Sequence, residues 1–124
     1  MKHVLLLDDN IAQLTVRDLV LRKGGMDSHV ATNAVSALAL LRSETGREKI
    51  GLVITDHLMP GMDGVEFVRQ LRGFNPDVPV IVISGLPDAE AEYSGLKVIF
   101  RVKPCDPEDL ITLAKSALTI QASA

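Results

Sequence analysis

Short apolar runs recur along this chain of 124 residues and alternate with segments that have helical spacing. The runs lie at residues 3–7, 29–31, 52–55, 80–83 and 98–102, and both of their faces are apolar, as in strands buried in a parallel sheet. Between the runs, apolar residues recur three or four positions apart, which is typical of amphipathic helices. Because right-handed crossovers place a helix over the sheet after each strand, this alternation predicts an α/β fold. We expect a five-stranded parallel sheet, doubly wound, with helices on both faces.

Local signals mark where several helices begin and end. The two glycines at 24–25 are expected to close the first helix. Asp63 can cap the third helix, and Glu66, three residues later, completes a capping box. Residues 106–109 (DPED) have the order preferred at a helix start, namely a capping acid, a proline and further acids, so they predict the start of the last helix.

Length and composition limit the class of protein. A chain of this size can bury one core, so we predict one domain over residues 1–120, with 121–124 as a frayed tail. No apolar run approaches the roughly 20 residues that cross a bilayer, and the run before Asp8 is too short for a secretion signal, so we expect no membrane partner and a cytoplasmic location. The formal charge is −3, and no cluster of lysine or arginine occurs, which argues against direct nucleic-acid binding.

Polar side chains stand at the ends of four predicted strands. Asp8 and Asp9 follow the first strand, Asp56 ends the third, Ser84 ends the fourth, and Lys103 ends the fifth. Taken singly, each has a structural explanation, since acids cap helices, serines form turns and lysines lie at surfaces. Ligands of such sheets bind outside the carboxyl ends of the strands, so we expect the five side chains to converge at one edge.

The predicted convergence has a chemical consequence. Three carboxylates at one edge repel one another unless a cation neutralises them or some of them ionise poorly. Mg²⁺ is the natural candidate, because it takes oxygen ligands, keeps several waters and shares its remaining positions with a phosphoryl group. A lysine and a hydroxyl opposite the acids supply cationic and hydrogen-bonding contacts to phosphoryl oxygens. The pattern therefore favours phosphoryl transfer with Mg²⁺ as the cofactor.

Four segments carry a family resemblance: residues 5–10 (LLLDDN), 55–64 (TDHLMPGMDG), 83–85 (ISG) and 102–104 (VKP). They resemble, in order and over the whole chain, the signatures of response-regulator receiver domains, the chemotaxis-regulator-like domains of two-component signalling. The resemblance implies a flavodoxin-like fold and a phosphoacceptor domain that catalyses only its own phosphorylation and dephosphorylation. It also implies a phosphoryl donor that is a histidine kinase or a histidine phosphotransfer protein.

By that resemblance, Asp56 is the nucleophile that accepts the phosphoryl group. Asp9, Asp56 and the backbone carbonyl of Leu58 bind Mg²⁺, and Asp8 binds it through water. An aspartyl phosphate is a mixed anhydride whose hydrolysis is favourable, so the modification suits a reversible switch.

The resemblance also implies roles for three residues on the other side of the acceptor. Lys103 contacts the phosphoryl group, Ser84 moves towards it, and Phe100 moves in concert with Ser84 as a second switch residue. A plain core phenylalanine is the alternative interpretation of Phe100. The peptide bond between Lys103 and Pro104 is similar to one that is cis in the family. The downstream protein target is not named by the sequence, and a homodimer that forms on phosphorylation is left open.

Two segments depart from the family pattern or lack a function. Only the 18 residues 85–102 separate Ser84 from Lys103, which is short for the family's fourth helix and fifth strand. Residues 87–93 leave room for about two helical turns, so we expect a reduced fourth helix or a loop there. Residues 43–49 (SETGREK) predict a polar loop.

Three side chains near the acceptor receive their own predictions. His57 stands beside a turn, which predicts a surface histidine without a role. Leu58 and Leu86 border the phosphoryl group by the family resemblance, and neither can hydrogen-bond a water. Because hydrolysis needs a positioned water, they predict slow self-dephosphorylation.

Two other classes of function remain open from the sequence. A magnesium-dependent aspartyl-phosphate phosphatase of the haloacid dehalogenase type expects an Asp-x-Asp pair after the first strand, whereas Asp8 and Asp9 are adjacent here. A pseudo-receiver would bind its partners without being phosphorylated, but all five matching polar residues are present. The sequence also leaves open whether the chain is a stand-alone regulator or part of a hybrid kinase or longer regulator.

Overall fold

The computed structural model describes the backbone of residues 1–123 and the side chains of residues 1–119. Five parallel strands form one sheet with the order β2-β1-β3-β4-β5. They are β1 (His3–Leu7), β2 (Ser28–Ala31), β3 (Ile50–Asp56), β4 (Val80–Ser84) and β5 (Ile99–Val102). The predicted α/β fold is therefore confirmed.

Within residues 1–123, six helical segments connect or follow the strands. They are α1 (Ile11–Lys23), α2 (Ala34–Arg42), α3 (Glu44–Lys49), α4 (Gly64–Phe74), a 3-10 helix (Pro87–Tyr93) and α5 (Pro107–Ser123). Among the described residues, none of these helices is both long enough and apolar enough to span a membrane. The tail predicted at 121–124 falls partly outside the described residues and stays a prediction.

The predicted helix ends agree with the structure. The Asp63 carboxylate accepts a hydrogen bond from the Glu66 backbone N–H at 3.0 Å and caps α4. Helix α1 ends at Lys23 and is capped by Gly24, and Gly25 follows with a φ of +86°, a left-handed conformation that favours glycine. At the start of α5, the Asp106 carboxylate accepts from the Glu108 N–H at 2.8 Å.

The loop predicted at residues 43–49 is wrong, because Glu44–Lys49 form helix α3. The Ser43 hydroxyl oxygen accepts from the Gly46 N–H at 3.0 Å and caps this short helix. Gly46 packs directly on the preceding helix, where an added Cβ would overlap the Leu40 carbonyl oxygen. The helix thus buries a glycine backbone rather than an apolar stripe, and hydrophobic spacing cannot reveal such a contact.

The sheet carries one core on each face. Leu5, Val53 and Val80 lie side by side on neighbouring strands and face α2, α4 and the 3-10 helix. Leu6 and Ile54 alternate with them and face α1 and α5. This alternation along buried strands explains why the strand sequences are apolar throughout.

The crossover between β4 and β5 contains the 3-10 helix, seven residues long, in place of an α-helix. The expectation of a reduced fourth helix is confirmed. The Arg72 guanidinium of α4 donates to the carbonyl oxygens of Leu96 at 2.9 Å and Lys97 at 3.0 Å, in the loop that leads to β5. Lys97 has a φ of +58°, which is uncommon outside glycine, so this loop is held in a specific conformation.

Candidate functional site

The carboxyl ends of four strands bring the predicted polar groups to one edge of the sheet. Asp8 follows β1, Asp56 ends β3, Ser84 ends β4, and Lys103 follows β5. The Lys103 backbone N–H donates to the Ser84 carbonyl at 2.8 Å, which fixes the end of β5 beside that of β4. The peptide bond between Lys103 and Pro104 is cis, as the resemblance implied.

Three carboxylates form the acidic part of this edge. One oxygen each of Asp8, Asp9 and Asp56 can be chosen so that all three lie within 4.8 Å of one another. Asp8 is fully buried and Asp56 is 7% exposed, whereas Asp9 is open to solvent. Burial raises the pKa of Asp8, and the nearby Asp56 charge raises it further. The Asn10 N–H and the charges of Arg17 and Lys103 act in the opposite direction and favour the ionised form.

Two cations contact the acids. The Lys103 ammonium lies 3.1 Å from Asp56 Oδ1. The Arg17 guanidinium lies 3.1 Å from Asp8 Oδ2, and its other terminal nitrogen donates to the Gln13 side-chain oxygen at 3.1 Å. The sequence analysis missed Arg17. Its only sequence signal is a position one helical turn after Gln13, on the helix that follows the acids.

Ser84 is buried at the end of β4, with 1% of its surface exposed. Its hydroxyl oxygen accepts a hydrogen bond from the Leu86 N–H at 3.0 Å. A hydroxyl that accepts in this way still has its own hydrogen to donate, so Ser84 can serve an anion at Asp56.

His57 is buried, so its prediction as a surface residue is wrong. Only 4% of it is exposed, although it lies just after the end of β3. His57 Nδ1 lies 2.7 Å from the Tyr93 hydroxyl, and the two rings meet edge to face. Its Nε2 lies 3.7 Å from a Glu92 carboxylate oxygen. The residue next to the acceptor therefore contacts the 3-10 helix directly.

Tyr93 and Phe100 extend this contact into the core. Burial raises the pKa of the Tyr93 hydroxyl, with the charges of Asp63, Glu92 and Asp56 adding to the effect, so the hydroxyl stays protonated and can hydrogen-bond His57. The Tyr93 ring centroid lies 5.9 Å from that of Phe100, which is 8% exposed. Phe100 thus packs against Tyr93 in the core that faces α2 and α4.

Leu58 and Leu86 are exposed apolar residues in the loops after β3 and β4, with 59% and 48% of their surfaces open to solvent. Leu58 lies two residues after Asp56, and Leu86 lies two residues after Ser84.

The chain matches one protein-family model over most of its length. Residues 4–115 match the model of the response regulator receiver domain. The chain is 31% identical to the transcriptional regulatory protein ZraR of Klebsiella oxytoca over 91% of its length, and 32% identical to GlrR of Escherichia coli K12 over 98%. These alignments cover 26% and 27% of the two relatives, so the chain spans about a quarter of their length.

Solved structures share the fold. The signal receiver domain of an HD domain-containing protein from Pseudomonas fluorescens Pf-5 has a TM-score of 0.86 and 27% identity, with 99% of this chain and 98% of that chain covered. A CheY-like receiver domain protein from Methanospirillum hungatei JF-1 has a TM-score of 0.88 at 24% identity, with 99% and 98% covered, which shows the fold alone. The match over residues 4–115 supports a receiver domain and favours neither alternative function, the magnesium-dependent phosphatase or the pseudo-receiver. This chain belongs to the response regulator receiver domain family.

Proposed function

We propose that this receiver domain is a phosphoryl-accepting switch in which Asp56 takes a phosphoryl group from a histidine kinase or a histidine phosphotransfer protein. The proposal rests on the charged groups that surround Asp56. Its carboxylate lies 3.1 Å from the Lys103 ammonium and shares a cluster with Asp8 and Asp9. A nucleophilic carboxylate with a cation and further acids close by is suited to phosphoryl transfer.

The donor set fits a hydrated magnesium ion. Asp9, Asp56 and the backbone carbonyl of Leu58 would hold Mg²⁺ directly, and Asp8 would hold it through water. All of these ligands are oxygen atoms, which Mg²⁺ prefers. Positive charge nearby also stabilises the ionised form of the buried Asp8 carboxylate. When bound, the ion neutralises negative charge on the phosphoryl oxygens.

The protein groups then act as follows. An Asp56 carboxylate oxygen attacks the phosphorus of a phosphohistidine, the nitrogen–phosphorus bond breaks, and the imidazole leaves with the electron pair of that bond. Lys103 turns from the carboxylate to the new phosphoryl oxygens, and the Ser84 hydroxyl donates a hydrogen bond to one of them. The added negative charge at Asp56 is the signal that the domain transmits.

The response of the fold is a shift between two packings. Ser84 moves towards the phosphoryl group, and Phe100 repacks with it, as in the family resemblance. Phe100 contacts Tyr93, and Tyr93 contacts His57 beside the acceptor, so a change at Asp56 has a short path to the 3-10 helix. We propose that the surface of this short crossover presents the phosphorylated state to a downstream protein.

The acceptor assignment is tested by chemical phosphorylation. We expect acetyl phosphate or phosphoramidate with Mg²⁺ to add one phosphoryl group to the wild-type chain, detected as intact mass, and Asp56→Asn to abolish the addition. Asp63→Asn is the matched control, because Asp63 is an exposed helix cap outside the cluster and asparagine also caps helices. Unchanged labelling of the Asp56→Asn variant would overturn the assignment.

A further inference from the structure

Arg17 is held by two contacts beside the acid cluster. One terminal nitrogen lies 3.1 Å from Asp8 Oδ2, and the other donates to the Gln13 side-chain oxygen at 3.1 Å. The Arg17 side chain is 12% exposed and the Asp8 side chain is fully buried. The guanidinium is therefore aimed at Asp8 and shielded from solvent, unlike an ordinary surface ion pair.

Both oxygens of Asp8 are occupied within the fold. Oδ1 accepts from the Asn10 N–H at 3.0 Å, and Oδ2 faces Arg17. Each carboxylate oxygen can accept a second hydrogen bond, so a water that links Asp8 to a metal ion would share Oδ1 with the Asn10 N–H, share Oδ2 with the guanidinium, or displace the guanidinium. The positive charge of Arg17 also repels a divalent cation that is bound at the acid cluster.

A groove beside the site gives the guanidinium room to move. It has a volume of about 680 Å³ and lies between α1 and the start of α5, and its walls include Val16, Val20 and Leu110 together with Arg17 and Lys103. Arg17 can swing into this space when Asp8 changes partner, without disturbing the packed core.

We propose that Arg17 is an internal cation that competes with Mg²⁺ for Asp8 and thereby weakens magnesium binding to the unphosphorylated protein. The inference rests on the proposed function, because it takes the acid cluster as the magnesium site. Arg17 acts through Asp8 and is a positioning residue. A purely structural role, tethering α1 to β1, would alter the stability of the fold and leave the affinity for Mg²⁺ unchanged.

The experiment is a titration of the full chain with MgCl₂ at fixed ionic strength, followed by backbone amide shifts in NMR spectra. We expect Arg17→Gln to bind Mg²⁺ at least about fivefold more tightly than the wild type, because one nearby positive charge is removed. Arg22→Gln is the matched control, since Arg22 lies on the same helix and pairs with Asp18 instead of the cluster. Its Kd should stay within about twofold of the wild type.

Two further variants separate the possible failures. Asp9→Ala should weaken binding strongly. If it binds Mg²⁺ as the wild type does, the magnesium site of the proposed function is wrong and the inference falls with it. If Asp9→Ala weakens binding but Arg17→Gln has an unchanged or higher Kd, only the inference is overturned. Should Arg17→Gln not fold, Gln13→Ala replaces it, because it removes the second anchor of the guanidinium. Tighter binding is expected there too, and an unchanged Kd contradicts the inference.

Discussion

The first and last crossovers of the sheet are built in different ways. Between β1 and β2, helix α1 has 13 residues, is capped by the Asn10 side chain and buries Leu14 and Leu21. Between β4 and β5, the 3-10 helix has seven residues, and Leu86 before it offers no side-chain cap. A long helix satisfies most of its backbone groups internally, whereas a short 3-10 segment depends on side chains from other elements.

Two side chains from other elements support the short crossover. Arg72 of α4 donates to four backbone carbonyls, two of them in the loop before β5, at Leu96 and Lys97, and two after α4 itself, at Asn75 and Val78. His57 at the end of β3 hydrogen-bonds Tyr93, the last residue of the 3-10 helix. The short crossover thus contacts His57, the neighbour of the acceptor, whereas the long crossover contacts the acid cluster through Arg17 and Asp8.

The largest expected effect is at Arg72. We expect Arg72→Ala to lower the free energy of unfolding by about 2–3 kcal/mol, because several partly buried carbonyl oxygens lose a charged donor. Urea denaturation measures this loss. Arg69→Ala is the control on the same helix, where the arginine is exposed and its nearest carboxylate oxygen lies 3.9 Å away, and it should cost no more than about 0.5 kcal/mol. Equal losses in the two variants would contradict the anchoring role of Arg72.

The next effect concerns the contact between His57 and Tyr93. Tyr93→Phe removes only the hydroxyl, so we expect a loss of about 1 kcal/mol and faster amide hydrogen exchange in residues 87–93. A double-mutant cycle with His57→Gln isolates the pair: the double variant should lose less stability than the sum of the two single losses, because the shared hydrogen bond is counted in both. Additive losses, with unchanged exchange in residues 87–93, would show that the hydrogen bond does not hold this crossover.

A smaller effect is expected on the lifetime of the phosphorylated state. Leu58 and Leu86 expose apolar surface in the loops beside the acceptor, so neither can orient an attacking water. We expect the double variant Leu58→Asn, Leu86→Glu to lose its phosphoryl group at least about threefold faster than the wild type, because polar groups can position that water. Decay after removal of the phosphodonor measures the rate, with Leu19→Asn on the exposed face of α1 as the control. Decay of the wild type that is as fast as that of the double variant would refute the prediction.

The smallest expected effect is the pH dependence of stability at His29, in strand β2 at the end of the first crossover. His29 Nε2 lies 2.9 Å from His3 Nδ1, and burial lowers the pKa of His29 from its ordinary 6.5, with the charges of His3, Lys49 and Arg22 adding to the shift and Asp27 opposing it. The folded state thus binds its proton less readily than the unfolded state. This stabilising contribution is complete above about pH 6.5 and is lost as the pH falls towards the folded-state pKa.

Thermal unfolding between pH 7.5 and 5.5 tests the pH dependence. We expect the Tm of the wild type to fall slightly more over this interval than that of His29→Gln, which has no titrating side chain at this position. A larger fall in the variant would show the opposite sign and contradict the prediction.

Much of the fold and the site was predictable from local sequence signals. The five apolar runs, the cap at Asp63 and the glycines after α1 each depend on a few neighbouring residues, and the structure agrees with all of them. The close approach of Asp8, Asp56 and Lys103 was also predictable from the sequence, because parallel strands place their carboxyl ends at one edge of the sheet.

The remaining features depended on contacts between residues far apart in the chain or on backbone packing. Gly46 of α3 packs against Leu40, the buried His57 contacts Tyr93 of the 3-10 helix, and Arg17 of α1 contacts Asp8 after β1. Hydrophobic spacing and caps report the preferences of one segment at a time. Which side chains meet across segments is decided when the helices pack on the sheet, so the partners of Asp8 and His57 were settled by the tertiary structure.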